Sequence, residues 1–215
     1  MTEQIQSLLR CLEKNNIRGF FCPNRQEALI QIISLLPDGA SVCAGGSATL
    51  REIGLLDRLE DGPRHYQGHT HTASGQLSCN TAPFTCDTFL TGINAITENG
   101  ELYNVDGSAN RIAPLLYGSR QVIAVAGVNK IVPTLDDAVL RVKTIVAPMN
   151  ARAKGRDLYC AKVGQCCSSL HDNPLMTDGC DSPQRICNAY SVIARQHPLQ
   201  KDRIKVILIG ETLGF

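Results

Sequence analysis

Two groups of residues in this chain are of types that do chemistry. The first is polar and surrounds one buried strand: Asn94, Asn104, Asp106, Asn110 and Arg111. A planar guanidinium beside exposed helix N–H groups suits a carboxylate or phosphate. Asn, Asp and Gly also dominate turns for backbone reasons alone, so each residue taken singly has a structural reading as well. The second group is Cys160, Cys166, Cys167, Cys180 and Cys187, five of the ten cysteines. The N-terminus, Met1-Thr-Glu-Gln-Ile-Gln, has no basic-then-apolar signal pattern. Without such a signal, crowded cysteines favour metal or redox chemistry over disulfides.

Two glycine-marked turns add candidates. A short strand at residues 40–43 runs into Gly45-Gly46-Ser47-Ala48-Thr49 and then a helix. Glycines admit a ligand close to the backbone, and a helix start offers unpaired N–H donors. The stretch is neither a Walker A loop nor the G-x-G-x-x-G fingerprint, and a tight strand-to-helix turn needs glycine with or without a ligand. Gly127-Val-Asn129-Lys130 follows a strongly apolar run. A lysine just past a strand end neutralises an anion or is simply solvated. His69-x-His71 places two rings on one face of an extended strand, a spacing that suits a metal. His65 and Cys79 stand nearby in the same irregular stretch, which also reads as a solvated loop, a lid or an oligomer contact.

The elements that must position these residues are legible from periodicity. Residues 3–15, 25–36, 48–59, 134–146 and 183–195 carry helical apolar stripes. Asn24 caps the second, and Asp136 and Asp137 complement the dipole of the fourth. Residues 17–22, 40–43, 88–93, 121–126 and 203–210 read as strands, with 121–126 buried on both faces at the centre of a sheet. Asn99-Gly100 predicts a type I′ hairpin between residues 94–98 and 101–105. Ser108 caps a helix over 109–117. Strands alternating with helices give an α/β sheet, and such sheets bind ligands at strand ends. The Gly45–Thr49 turn, the shelf ending at Arg111 and the Gly127–Lys130 turn are expected to converge on one pocket.

At 215 residues one domain is the default, with residues 149–187 as a cysteine-rich segment inside it. The net charge of +1 and the lack of any basic block argue against nucleic acid as a partner. No run approaches the roughly 20 apolar residues of a membrane span. A cytoplasmic location is expected.

Several segments together resemble the LUD domain family of bacterial lactate utilisation proteins. They are Gly45-Gly-Ser-x-Thr-Leu-x-Glu-Ile-Gly-Leu55, the stretch from Thr88 to Arg111, Tyr117-Gly118, the stretch from Val122 to Val132, and the end from Arg203 to Phe215. The resemblance implies a Rossmann-like sheet of the NagB/RpiA/CoA-transferase type. It also implies a link to oxidation of L-lactate to pyruvate, usually beside partner lactate-utilisation proteins. Some members carry a pattern like Cys160-Ala-Lys-x-Gly-x-Cys166 and Cys180-x-Ser-Pro-x-Arg-Ile-Cys187. This chain follows it with an insert that includes Cys167, and has Ala44 where the family often has an aromatic residue. The family supplies no catalytic residue set.

Cys160, Cys166, Cys180 and Cys187 are then the metal-ligand candidates. Four thiolates suit a [4Fe-4S] cluster or tetrahedral zinc. No C-x2-C pair is present, which weighs against a zinc ribbon, and reduced thiols without metal are the third possibility. Two functions follow. One is a redox component that passes electrons through the cluster, with the substrate carboxylate against Arg111 and the Gly45–Ser47 turn. The other is a binding or regulatory module for a carboxylated or phosphorylated metabolite, with structural cysteines. A sugar-phosphate or acyl enzyme is a third, argued from fold alone.

Overall fold

The computed structural model describes residues 1–62, 64–69, 81–172 and 175–215. In chain order its strands are β1 (Arg18–Cys22), β2 (Ser41–Ala44), β3 (His65–His69), β4 (Thr88–Gly92), β5 (Ala95–Thr97), β6 (Leu102–Asp106), β7 (Gln121–Gly127), β8 (Ile131–Val132), β9 (Ala189–Ile193) and β10 (Ile204–Ile209). Six form one sheet in the order β1-β10-β7-β4-β2-β3, parallel at every pairing. β7 lies inside it, between β10 and β4. Alternation along β7 feeds two cores. Val122, Ala124 and Ala126 share one with Leu8 and Leu12 of α1 (Glu3–Lys14). Ile123 and Val125 share the other with Ala28 and Ile32 of α2 (Arg25–Ser34), Leu50 of α3 (Ala48–Glu52) and Leu59 of α4 (Leu55–Glu60).

A second sheet, β8-β5-β6-β9, carries the polar shelf. β5 and β6 form the expected antiparallel hairpin, but not through a type I′ turn. Gly100 has φ 82° while Asn99 is not left-handed. The Gly100 N–H donates to Thr97 O at 2.8 Å, and the Thr97 N–H to Glu101 O at 3.0 Å. That is a three-residue loop, a turn closed by one left-handed glycine. The remaining helices are α5 (Ala82–Thr85), α6 (Ile112–Leu116), α7 (Leu135–Arg141), α8 (Ala147–Ala153) and α9 (Tyr159–Val163).

Four expected helices take a different form. The one over 48–59 is split into α3 and α4 by Gly54 at φ 70°. The one over 109–117 begins only at Ile112, because Ala109 is left-handed at φ 57° and the cap is Asp106, not Ser108. The one over 134–146 continues through a π-helical turn, Val142–Val146, into α8. Pro148 has no N–H to offer the carbonyl a turn earlier, and the wider turn absorbs that gap. Residues 183–195 are not helical. Ala189–Ile193 is a strand paired antiparallel to β6 from Ala189↔Asp106 to Ile193↔Leu102. Tyr190, Val192 and Ile193 favour a sheet, and the open edge of β6 supplied backbone partners that outweighed the helical spacing of Ile186, Tyr190 and Ile193. Residues 70–80, with His71 and Cys79, lie outside the described residues. His65 is exposed on β3, an edge strand.

Candidate functional site

β2, β4 and β7 are adjacent in the sheet, so the turns after them emerge side by side. They border a cleft of about 440 Å³. That volume suits a small metabolite. Gly46 and Ser47 line it from the first turn, Asn94 from the turn after β4, Asp106 from the end of β6, and Lys130 from the turn after β7. Asn110 and Arg111 line it just before α6.

Arg111 does not sit beside free helix donors. The Asp106 carboxylate, almost fully buried, accepts the Arg111 N–H at 2.8 Å and the Ile112 N–H at 2.9 Å. The same carboxylate takes Arg111 Nε at 2.7 Å and forms an ion pair with Nη2. Nη2 also donates to Val105 O at 2.8 Å and to Asn94 Oδ1 at 3.4 Å. Nη1 donates to no described residue, and it is the guanidinium nitrogen left for a ligand. Gly45 makes this placement possible. A Cβ there would stand 2.6 Å from Arg111 Cγ, inside any van der Waals contact.

The other sequence candidates divide between lining and support. Asn94 Oδ1 accepts the Val105 N–H at 2.8 Å, and Asn104 Oδ1 accepts the Asn94 N–H at 3.3 Å. Asn104 thus fastens the hairpin base rather than facing the cleft. Asn129 does the same for the tail, accepting the Leu213 N–H and donating to Gly214 O. Ser47 Oγ caps α3. Thr49, fully buried, accepts a hydrogen bond from Lys130 Nζ at 2.9 Å.

Lys130 is only 3% exposed. Burial, then the cations Arg141 and Arg111, push its pKa down to about 7 against the pull of Glu52. Arg141 is itself buried, and its Nε has no hydrogen-bond partner among the described residues. Lys154, on the rim, is also held below the usual lysine range, by the enclosing protein and then by Arg111 and Arg156. Arg51, Arg111, Lys130 and Lys154 therefore face a single carboxylate, Asp106, among the lining residues.

Sequence reading missed Arg51, Asn150, Lys154 and Phe215 in this lining. A signal existed for part of it. Val146, Asn150 and Lys154 recur every fourth residue and share one helical face. Ending the expected helix at Val146 hid it.

The LUD domain profile matches residues 5–209. The chain belongs to the LUD domain family. That family is associated with lactate utilisation. The chain is similar to a crystal structure of a DUF162 family protein from Deinococcus radiodurans, at 15% identity over 97% of both chains with a TM-score of 0.54. DUF162 is the former name of this family. Ribose 5-phosphate isomerase from Plasmodium falciparum matches over 51% of this chain and 52% of its own, at 14% identity and a TM-score of 0.35. The eIF2B delta structure from Chaetomium thermophilum matches over 60% of this chain and 54% of its own, at 16% identity and a TM-score of 0.38. No curated protein matches this chain in sequence. The LUD fold here is a Rossmann-like α/β sheet, and no described helix is long and apolar enough to cross a membrane.

The four candidate ligand cysteines of this LUD domain lie beyond α8. Cys160, on α9, shares a small core with Ala151 and Leu158, against which Cys180 packs. Cys166 and Cys187 border a void beside Lys143, Met176 and Tyr190. Burial, followed by the neighbouring Cys187, Cys166 and Cys180, raises the Cys160 thiol to about 11. Burial also raises Cys187, against the pull of Arg185. Buried Lys143 Nζ donates to Ser168 Oγ at 2.7 Å, and Ser168 Oγ donates to Cys166 Sγ at 3.3 Å. The four candidate thiols thus feel one another. As they stand, no three His, Cys, Asp or Glu side chains among the described residues are grouped to hold a metal ion.

Proposed function

We propose that this chain binds a small carboxylate or phosphorylated metabolite in the cleft, as a component of lactate utilisation beside partner lactate-utilisation proteins. The observation that carries this reading is the charge of the lining. Four basic side chains and one acidic side chain, Asp106, line the cleft, and Asp106 is already paired with Arg111. Burial depresses both lysines, the Arg111 cation adds repulsion to each, and a bound anion relieves that repulsion. Within the family's link to lactate, a 2-hydroxy or 2-oxo acid fits best. Its carboxylate meets Arg111 Nη1 and Lys154, and its small alkyl end meets Ile93, Val105 and Phe215.

Titration with pyruvate, lactate and inorganic phosphate tests the reading. Lys154→Gln is expected to weaken binding by about 1.5 kcal/mol, roughly tenfold, as for a lost charge-assisted hydrogen bond. Added salt should weaken the parent as well. Titrations that are the same in both proteins, or flat with all three ligands, would sink it.

A second reading adds electron transfer, with Cys160, Cys166, Cys180 and Cys187 holding a [4Fe-4S] cluster or, failing that, zinc. It is favoured by the crowding of the four thiols and by two cations, Lys143 and Arg185, that suit a negatively charged cluster. When bound, such a group supplies one-electron chemistry. Protein made anaerobically should contain iron and sulfide, and Cys187→Ser should lose both while its sheet stays folded. Equal iron in parent and variant, or none in either, rules out electron transfer through these thiols.

A further inference from the structure

We propose that the Lys130 amine forms an imine with the carbonyl carbon of a 2-oxo acid bound in the cleft. This rests on the anion-binding reading and names the group that acts on the ligand. Lys130 ends the 3-10 turn Val128–Lys130 that leaves the central strand, and it reaches the cleft from its floor. One N–H is committed to Thr49 Oγ1 at 2.9 Å, and the Thr49 hydroxyl donates onward to Leu213 O at 3.5 Å. Thr49 thus accepts from the amine and asks nothing of its lone pair. The lone pair and the second N–H remain for a ligand.

The surroundings favour the neutral amine. Arg141 and Arg111 face Lys130, and Glu52 is the acidic group that opposes them. Desolvation beside other cations is a recognised way to make a lysine nucleophilic at neutral pH. Arg111 also holds the carboxylate, together with Lys154 on the rim, so the ligand is anchored by one end and attacked at the other.

The step is balanced without any co-reactant. The nitrogen lone pair forms a bond to the carbonyl carbon, the C=O π electrons move to oxygen, and a proton passes from nitrogen to oxygen. The nitrogen pair of the carbinolamine then makes C=N as the C–O bond breaks, and the remaining N–H proton joins the departing hydroxide as water. Amine and ketone become imine and water, with no change of oxidation state.

Pyruvate with cyanoborohydride tests this, because hydride converts the imine into a stable secondary amine that peptide mapping locates. The expected result is one dominant adduct, on Lys130, suppressed by excess lactate, which has no carbonyl. Its rate should level off just above pH 7, whereas exposed lysines should keep reacting faster toward about pH 10. Lys130→Arg, checked for folding by thermal unfolding, should lose the adduct. Pyruvate that binds by calorimetry yet leaves Lys130 unmodified overturns the imine and leaves the anion site standing. Labelling of Lys130 no faster than surface lysines also overturns it. Neither binding nor labelling removes both readings.

Discussion

Asp106→Ala is expected to lower stability by about 3–5 kcal/mol, the cost of breaking one partner out of a buried ion pair. The carboxylate accepts two backbone N–H groups at the start of α6 and holds Arg111 through Nε and Nη2. Alanine leaves those donors unmet and a largely buried guanidinium without its counter-charge. Denaturant unfolding should show the midpoint falling with an unchanged slope. Asp106→Asn should lose less, since an amide oxygen still accepts the backbone donors. The same amide frees the charge of Arg111, so anion affinity should rise in Asp106→Asn while stability drops. A loss below about 1 kcal/mol in the alanine variant, the range of an exposed pair, would mean that Asp106 does not organise the cleft.

The parallel sheet was legible because β7 is apolar on both faces, and a run from Gln121 to Gly127 with no polar alternation fits only an interior strand. Ser47 and Asn94 were legible for a related reason. They follow strand ends, where an α/β sheet presents its loops. What local pattern hid was decided by partners distant in sequence. Tyr190 and Ile193 have helical spacing, yet β6 offered an open edge eighty-odd residues earlier and captured them. Pro148 looked like a helix stop, and a π-helical turn carried the helix past it to Lys154. Arg111 was rightly placed beside the cleft, but its bond to Asp106 depends on the left-handed Ala109, which no rule for alanine anticipates. The unusual state of Lys130 was hidden for the same reason. It comes from burial and then from Arg141 and Arg111, all supplied only by the fold.

That state predicts a substitution that stabilises the protein. Lys130 is buried, its pKa is pushed down to about 7, and its ordinary value is 10.5. Across the interval between those values the unfolded chain holds a proton that the folded chain lacks. Stability therefore rises with pH through this window, and below about pH 7 the folded state carries the full penalty of a buried charge. At 1.36 kcal/mol for each pKa unit, that penalty is on the order of 5 kcal/mol. Lys130→Met keeps the volume and removes the charge, at the loss of the hydrogen bond to Thr49, about 1 kcal/mol. The variant should be more stable than the parent by about 3–4 kcal/mol near pH 6. By about pH 10 the advantage should be gone, because the unfolded chain's amine is then losing its proton too and the penalty lapses. Denaturant unfolding of both proteins across this range measures the crossing. A variant less stable than the parent at pH 6, or a gap that does not change with pH, would show that Lys130 is already compensated in the folded chain. A residue that weakens its own fold at neutral pH, and whose removal strengthens it, marks a site held for binding or chemistry rather than for stability.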